Sequence, residues 1–162
     1  MGKVVSVKNF LNVLKSLKNQ KKTISLCGGC FDLIHPGHIH FLTKAKQQAD
    51  FLVILLENDL NIVKRKGNHR PVFNQKARSQ VLSSLSIVDY VVNLPFMATD
   101  QQYDQIVKKI CPDIIVTSKG DPNIDHKQRQ AQLTNAKLLK VSILKNFSTT
   151  CSIKFLKDKK RS

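Results

Sequence analysis

No apolar run in this chain approaches the roughly twenty residues that a membrane-spanning helix needs. The opening MGKVVSVKNF also lacks the apolar block of a signal peptide. A membrane or secreted protein is therefore not expected, and a cytoplasmic one is. Aromatic residues are few, eight Phe and two Tyr, and no aromatic-rich basic repeat occurs, which argues against a nucleic-acid module. Acids are scarce: 11 Asp and Glu stand against 27 Lys and Arg, a formal net charge of +16. Such an excess implies anionic partners, although charge alone does not choose among nucleotides, sugar phosphates, nucleic acid and acidic membrane. Cysteine is limited to Cys27, Cys30, Cys111 and Cys151. Three of these sit beside apolar runs, where a reduced, part-buried thiol is common, so disulfides are not indicated. Internal repeats and low-complexity segments are absent.

What is present fits one domain over residues 1–162, with 41% hydrophobic content. Phe10, Leu11, Val13, Leu14 and Leu17 recur at helical spacing, which predicts a short amphipathic helix over about residues 8–18. Five strands are expected: Thr23 to Cys27, Phe51 to Leu56, Val88 to Leu94, Asp113 to Val116 and Leu138 to Leu144. Helical patterns lie between them at Ile39 to Gln48, Asn74 to Ser86, Gln101 to Lys109 and around Lys127 to Ala136. Alternation of this kind predicts an α/β, Rossmann-like fold, an open, mostly parallel five-stranded sheet with helices on both faces. In such sheets ligands bind beyond the carboxyl ends of the strands, near the topological switch point. Residues 157–162 read as a short charged tail.

The run GGCFDLIHPGHIHFLTKAK, Gly28 to Lys46, carries the chemistry. In a loop entering a helix, Gly28 and Gly29 let the backbone approach a phosphate, and the helix N-terminus supplies oriented N–H groups. His35 and His38 lie three apart across the first turn, so both imidazoles can face one anion, with Gly37 leaving room between them.

HPGH resembles the HxGH signature of the cytidylyltransferase-like nucleotidyltransferases, and Phe147-Ser148-Thr149-Thr150 is similar to their second signature, which opens the last helix. The segment KGNHRPVFNQKARSQVLSSLSIVDYVV is similar to the connecting segment of the branch that makes ADP-heptose. The resemblance implies that an acceptor phosphate attacks the α-phosphorus of an NTP and pyrophosphate leaves. It implies that His35 and His38 contact the phosphates and the transition state, and that Cys30 and Phe31 offer backbone N–H groups. Ser148, Thr149 and Thr150 would hold the triphosphate. Lys64 and Lys66, in VKRKGNHRP, would belong to a mobile basic loop covering the phosphates, with Lys66 acting in catalysis. Gly120 and Asp121 correspond to a glycine-acid turn near the nucleotide, although TSKGDPN stands where the ADP-heptose branch has a run like VKGGDY. ATP is the expected co-substrate, with Mg²⁺ on the triphosphate. The expected partners are an NTP and a phosphorylated small-molecule acceptor, and a homodimer stays open.

The acceptor also stays open. The glycerol-phosphate cytidylyltransferases carry an arginine-threonine pair before their second signature, whereas SILKNFSTT has no arginine. This favours adenylyl transfer, to a heptose 1-phosphate such as D-glycero-D-manno-heptose 1-phosphate or to FMN. Asp32 is expected to fix the phosphate loop by accepting backbone N–H bonds. Arg78 is expected to serve a structural role. Zinc at Cys27, Cys30, His35 and His38 is disfavoured because four residues separate the pairs, where finger spacing has about twelve. No protein-bound metal is expected. A non-catalytic nucleic-acid-binding protein on the same fold is the rival of a different class, motivated by the charge.

Overall fold

A computed structural model describes residues 1–144 and Phe147. Its strands are β1 (Lys3–Ser6), β2 (Ile24–Gly29), β3 (Phe51–Leu56), β4 (Tyr90–Asn93), β5 (Ile114–Ser118) and β6 (Lys137–Val141). Its helices are α1 (Val7–Asn19), α2 (Pro36–Lys46), α3 (Asp59–Lys66), α4 (Gln75–Ser83), α5 (Asp100–Ile110) and α6 (Ile124–Thr134). The sheet has six strands rather than the expected five, in the order β1-β4-β3-β2-β5-β6. All pairings are parallel. The additional strand, β1, is a four-residue edge segment that is mostly exposed, so no apolar run announces it. Its existence depends on pairing with β4, from Lys3↔Tyr90 to Ser6↔Asn93.

Strand alternation divides the core between two layers of helices. On one face Leu26, Val53, Leu55 and Val92 pack with Phe10 and Leu14 of α1 and with Ile106 and Ile110 of α5. On the other, Cys27, Leu52, Ile54 and Val91 pack with Leu42 and Ala45 of α2 and with Leu82 of α4. Local sequence supports each helix. Phe10, Leu14 and Leu17 form the buried stripe of α1, and the Ser6 side chain caps it by accepting from Asn9 N–H. Thr99 and Gln102 form a capping box at the start of α5.

The chain winds from β2 outward through β3 to β4 and then returns to add β5 and β6 on the other side. The switch point therefore lies between β2 and β5. These two strands pair only at Ser25↔Ile114 and Leu26↔Ile115, although β5 runs on to Ser118. Their carboxyl ends separate, and a crevice opens where the sequence places HPGH.

Candidate active site

β2 delivers Gly28 and Gly29 to this crevice, and the loop beyond them enters α2 with His35 at the N-cap position and Pro36 in the first turn. Pro suits that position because its fixed φ is helical and no N–H bond is lost. The His35 and His38 rings stack with centroids 3.8 Å apart and planes 28° from parallel, while Phe31 lies tilted against His38 at 5.3 Å. A Cβ at Gly37 would come within 3.0 Å of His35 Cε1. The absence of a side chain there is what lets the two imidazoles share one wall.

Both histidines are less basic than usual. Burial lowers His35. His38 is lowered from 6.5 to about 4 by burial first, then by His35 and Lys66, against an opposing pull from the Leu33 carbonyl. At neutral pH the pair is uncharged, and each ring has one N–H to donate. The same shift couples His38 to folding. Between pH 6.5 and about 4 the unfolded chain binds the proton that folded His38 refuses. The contribution is therefore fully present above 6.5 and lost as pH falls through about 4. Urea titrations across this window should show a shallower fall of stability with acidification in His38→Gln than in wild type. Equal slopes would show that His38 is not held neutral.

Two cavities meet at the end of β2. The first, of about 320 Å³, is lined by His35, His38, Arg70, Ser118 and Phe147 among others. The second, of about 290 Å³, is lined by Glu57, Arg65, Tyr103, His126 and Lys127 among others. Gly28, Gly29, Cys30, Lys66 and Asp121 border both. α2 walls the first and α5 with α6 the second, so the cavities lie toward opposite faces of the sheet.

Buried polar residues hold this junction in shape. Asp32 accepts from Arg70 Nε at 2.6 Å, Val72 N at 2.8 Å and Phe73 N at 3.2 Å. It thereby ties residues 70–73 to the phosphate loop, as the sequence suggested. Arg78, 1% exposed, donates to the carbonyls of Phe73, Cys30 and Glu57 and to Asp59 Oδ1. Phe31, next to Cys30, has φ 43°, a conformation unfavourable for a side chain of its size and kept only by such surroundings.

Lys64 and Lys66 do not belong to a loop. They form the last turn of α3, which Asn58 caps by accepting from Leu60 N–H, with Asp59 in the first turn and three cations in the last. These charges complement the helix dipole, and the sequence reading of a basic flap overlooked them. The two lysines diverge. Lys66 reaches both cavities, whereas Lys64 lies over the Phe96 ring, 4.3 Å from its centroid.

Asp121 accepts from Thr117 Oγ1 at 2.5 Å and from Asn123 N at 2.8 Å. Gly120, φ 82°, shapes the turn just before it. Ser148, Thr149 and Thr150 lie outside the described residues, while Phe147 borders the first cavity. Cys27 is buried in the core cluster with Leu42 and Val116, and burial pushes its thiol up to about 12, which suits packing rather than ligation. Among the described residues no group of three or more His, Cys, Asp or Glu is arranged to hold a metal ion. No helix among them is long and apolar enough to cross a membrane.

Sequence reasoning missed Arg70, Glu57, Tyr103 and Lys127. For Glu57 a signal existed, since an acid directly after the buried run FLVILL must sit at the carboxyl end of a central strand.

The sequence profile described as Cytidylyltransferase-like matches residues 26–160. The chain is 32% identical over 143 residues to the Bifunctional protein HldE of Nitrobacter hamburgensis, covering 87% of this chain and 28% of that protein. It is 39% identical over 104 residues to the Bifunctional protein HldE of Helicobacter pylori, covering 64% of this chain and 22% of that protein. The chain thus spans less than a third of the length of these relatives. Among solved structures, the lipopolysaccharide core biosynthesis protein of Thermoplasma volcanium superposes with a TM-score of 0.58 at 24% identity, over 78% of this chain and 99% of that one. That likeness concerns the fold.

Proposed function

The chain belongs to the cytidylyltransferase-like family of nucleotidyltransferases, and we propose that this enzyme moves an adenylyl group from ATP to a phosphorylated sugar, with release of pyrophosphate. The acceptor that fits the ADP-heptose resemblance is D-glycero-D-manno-heptose 1-phosphate. The observation that carries the reading is the junction itself: two cavities joined at the end of β2, one bearing the stacked His35 and His38, with Lys66 reaching both.

A phosphate monoester has its second pKa near ~6 and is a dianion at neutral pH, so attack on the α-phosphorus needs no general base. The task left to the protein is alignment and stabilisation of the charge that develops on the phosphoryl oxygens. In this account the triphosphate lies in the first cavity. His35 and His38, neutral at pH 7, donate one N–H each toward the reacting phosphate. Lys66 follows the charge as the bond to the acceptor forms and the bond to pyrophosphate breaks. Backbone N–H groups at Cys30 and Phe31 and the Ser148-Thr149-Thr150 hydroxyls complete the phosphate contacts, with Gly120-Asp121 nearby.

Magnesium fits as a companion of the nucleotide. It keeps most of its ligands as phosphate and water and needs only one or two carboxylates, and Asp121, whose Oδ2 accepts a single bond from Thr117, borders the cavity. When bound it neutralises charge on the departing pyrophosphate.

The identity of both substrates is tested by offering ATP and CTP with heptose 1-phosphate, FMN and glycerol 3-phosphate, reading pyrophosphate release. ATP with the heptose phosphate is expected to be fastest. A clear preference for CTP with glycerol phosphate moves the chain to the cytidylyl branch, and ATP with FMN makes it a flavin adenylyltransferase.

The lysines of α3 provide a finer test. A cation acting on the transferring group stabilises the transition state more than the ground state. Lys66→Ala is therefore expected to lower kcat and kcat/KM together, by about tenfold or more. Lys64→Ala, which removes a cation over Phe96, should leave both within about threefold of wild type. Steady-state kinetics at fixed ionic strength separates the two, and equal effects would contradict the assignment.

A further inference from the structure

Lys127, in the first turn of α6, is a cation that the mechanism above does not use. Its ammonium is laid on the end of β2, where a Cβ at Gly28 would come within 3.3 Å of Nζ. Gly28 thus makes room for a lysine as well as for a phosphate. The side chain is half-buried and lines the second cavity together with Arg65, Lys66 and His126.

Two of these neighbours are already paired. Arg65 lies 3.4 Å from Glu57 Oε2 and donates to the Tyr103 hydroxyl. His126 Nδ1 lies 3.4 Å from Asp100. Lys127 makes no ion pair or side-chain hydrogen bond among the described residues. Its nearby acids are committed elsewhere: Glu57 accepts from Asn58 N, Asn61 Nδ2 and Tyr103 Oη, and Asp121 from Thr117 and Asn123. Burial lowers the pKa of the ammonium, and Asp121, Cys27 and Glu57 only partly oppose this. A part-desolvated cation without an acceptor is unfavourable, and a bound anion would supply what is missing.

We propose that Lys127 holds the phosphate of the acceptor in the second cavity, against the backbone of Gly28, and so selects phosphorylated over unphosphorylated acceptors. The word acceptor rests on the nucleotidyltransferase reading; the anion site rests on the geometry of the cavity. A phosphate held between Lys127 and Lys66 adjoins the shared strand end and faces the nucleotide across it, the arrangement that direct displacement requires.

Pyridoxal 5′-phosphate, a phosphomonoester bearing an aldehyde, is a suitable probe on the whole protein. Its aldehyde condenses with a lysine amine to an imine with loss of water. Borohydride then reduces the imine to a secondary amine that peptide mapping locates. Lys127 is expected to be labelled, and inorganic phosphate should reduce that label by about fivefold or more, while ATP alone should not. Absence of label at Lys127, indifference to phosphate, or protection by ATP alone overturns the proposal.

Lys127→Met supplies an independent readout. Without ligand its Tm should equal or exceed that of wild type, and phosphate should raise the Tm of wild type but not of the variant. A lower Tm in the unliganded variant identifies a structural lysine instead. With the acceptor found by the substrate panel, the variant should raise the acceptor KM by about tenfold or more and leave the KM for ATP within about threefold. Labelling and Tm require no turnover. Failure of the enzyme reading with phosphate-sensitive labelling intact is thus distinguishable from failure of the Lys127 site in an active enzyme.

Discussion

Replacement of His35 or of His38 by alanine is expected to lower kcat by about 100-fold or more while leaving the fold intact, because each change removes an N–H aimed at developing charge. The rings stack at 3.8 Å, so neither can be replaced without freeing the other. The double variant should accordingly lose less than the product of the single losses. Both residues are half-buried at the beginning of α2, where neither takes part in the two core clusters, and unchanged circular dichroism should accompany the loss. Either single variant retaining kcat within about threefold of wild type would contradict the assigned role.

Arg78→Met should cost on the order of 3 kcal/mol of stability, read as a lower urea midpoint at unchanged slope. Methionine fills much of the volume but leaves three carbonyls and the Asp59 carboxylate without the donor that now serves them. Lysine should not rescue the loss, because one ammonium cannot serve four acceptors spread around a planar guanidinium. The same substitution frees the Cys30 carbonyl beside Phe31, so residual activity should fall further than the population of folded protein does. A loss below about 1 kcal/mol would mean that these acceptors find other partners.

Much of the architecture was legible because its signals are local. FLVILL has the composition and length of a doubly buried strand, and it is β3. Phe10, Leu14 and Leu17 announced α1 by spacing alone. The positions of His35, Gly37 and His38 followed from a strand, a glycine-rich loop and a proline at a helix start. β1 escaped because an exposed edge strand has no apolar run and forms only against β4. α3 escaped because its three terminal cations, followed by Gly67, read as a mobile basic loop. What identifies them as a helix end is the pairing with Asn58 and Asp59 at the other end. Lys127 was unreadable for a different reason: α6 approaches Gly28 only through sheet order, across ninety-nine residues of chain. Ser148, Thr149 and Thr150 were named from resemblance and lie outside the described residues.

The central claim is that the nucleotidyl group, rather than the terminal phosphate, passes to a phosphorylated acceptor. The most direct measurement incubates the protein and heptose 1-phosphate with ATP radiolabelled at the α-phosphorus and, in parallel, at the γ-phosphorus. The account predicts that α-label enters a new sugar nucleotide while γ-label leaves entirely as pyrophosphate, in equal molar amounts. Transfer of γ-label to the sugar phosphate, or retention of both labels in ATP across the whole acceptor panel, would contradict it.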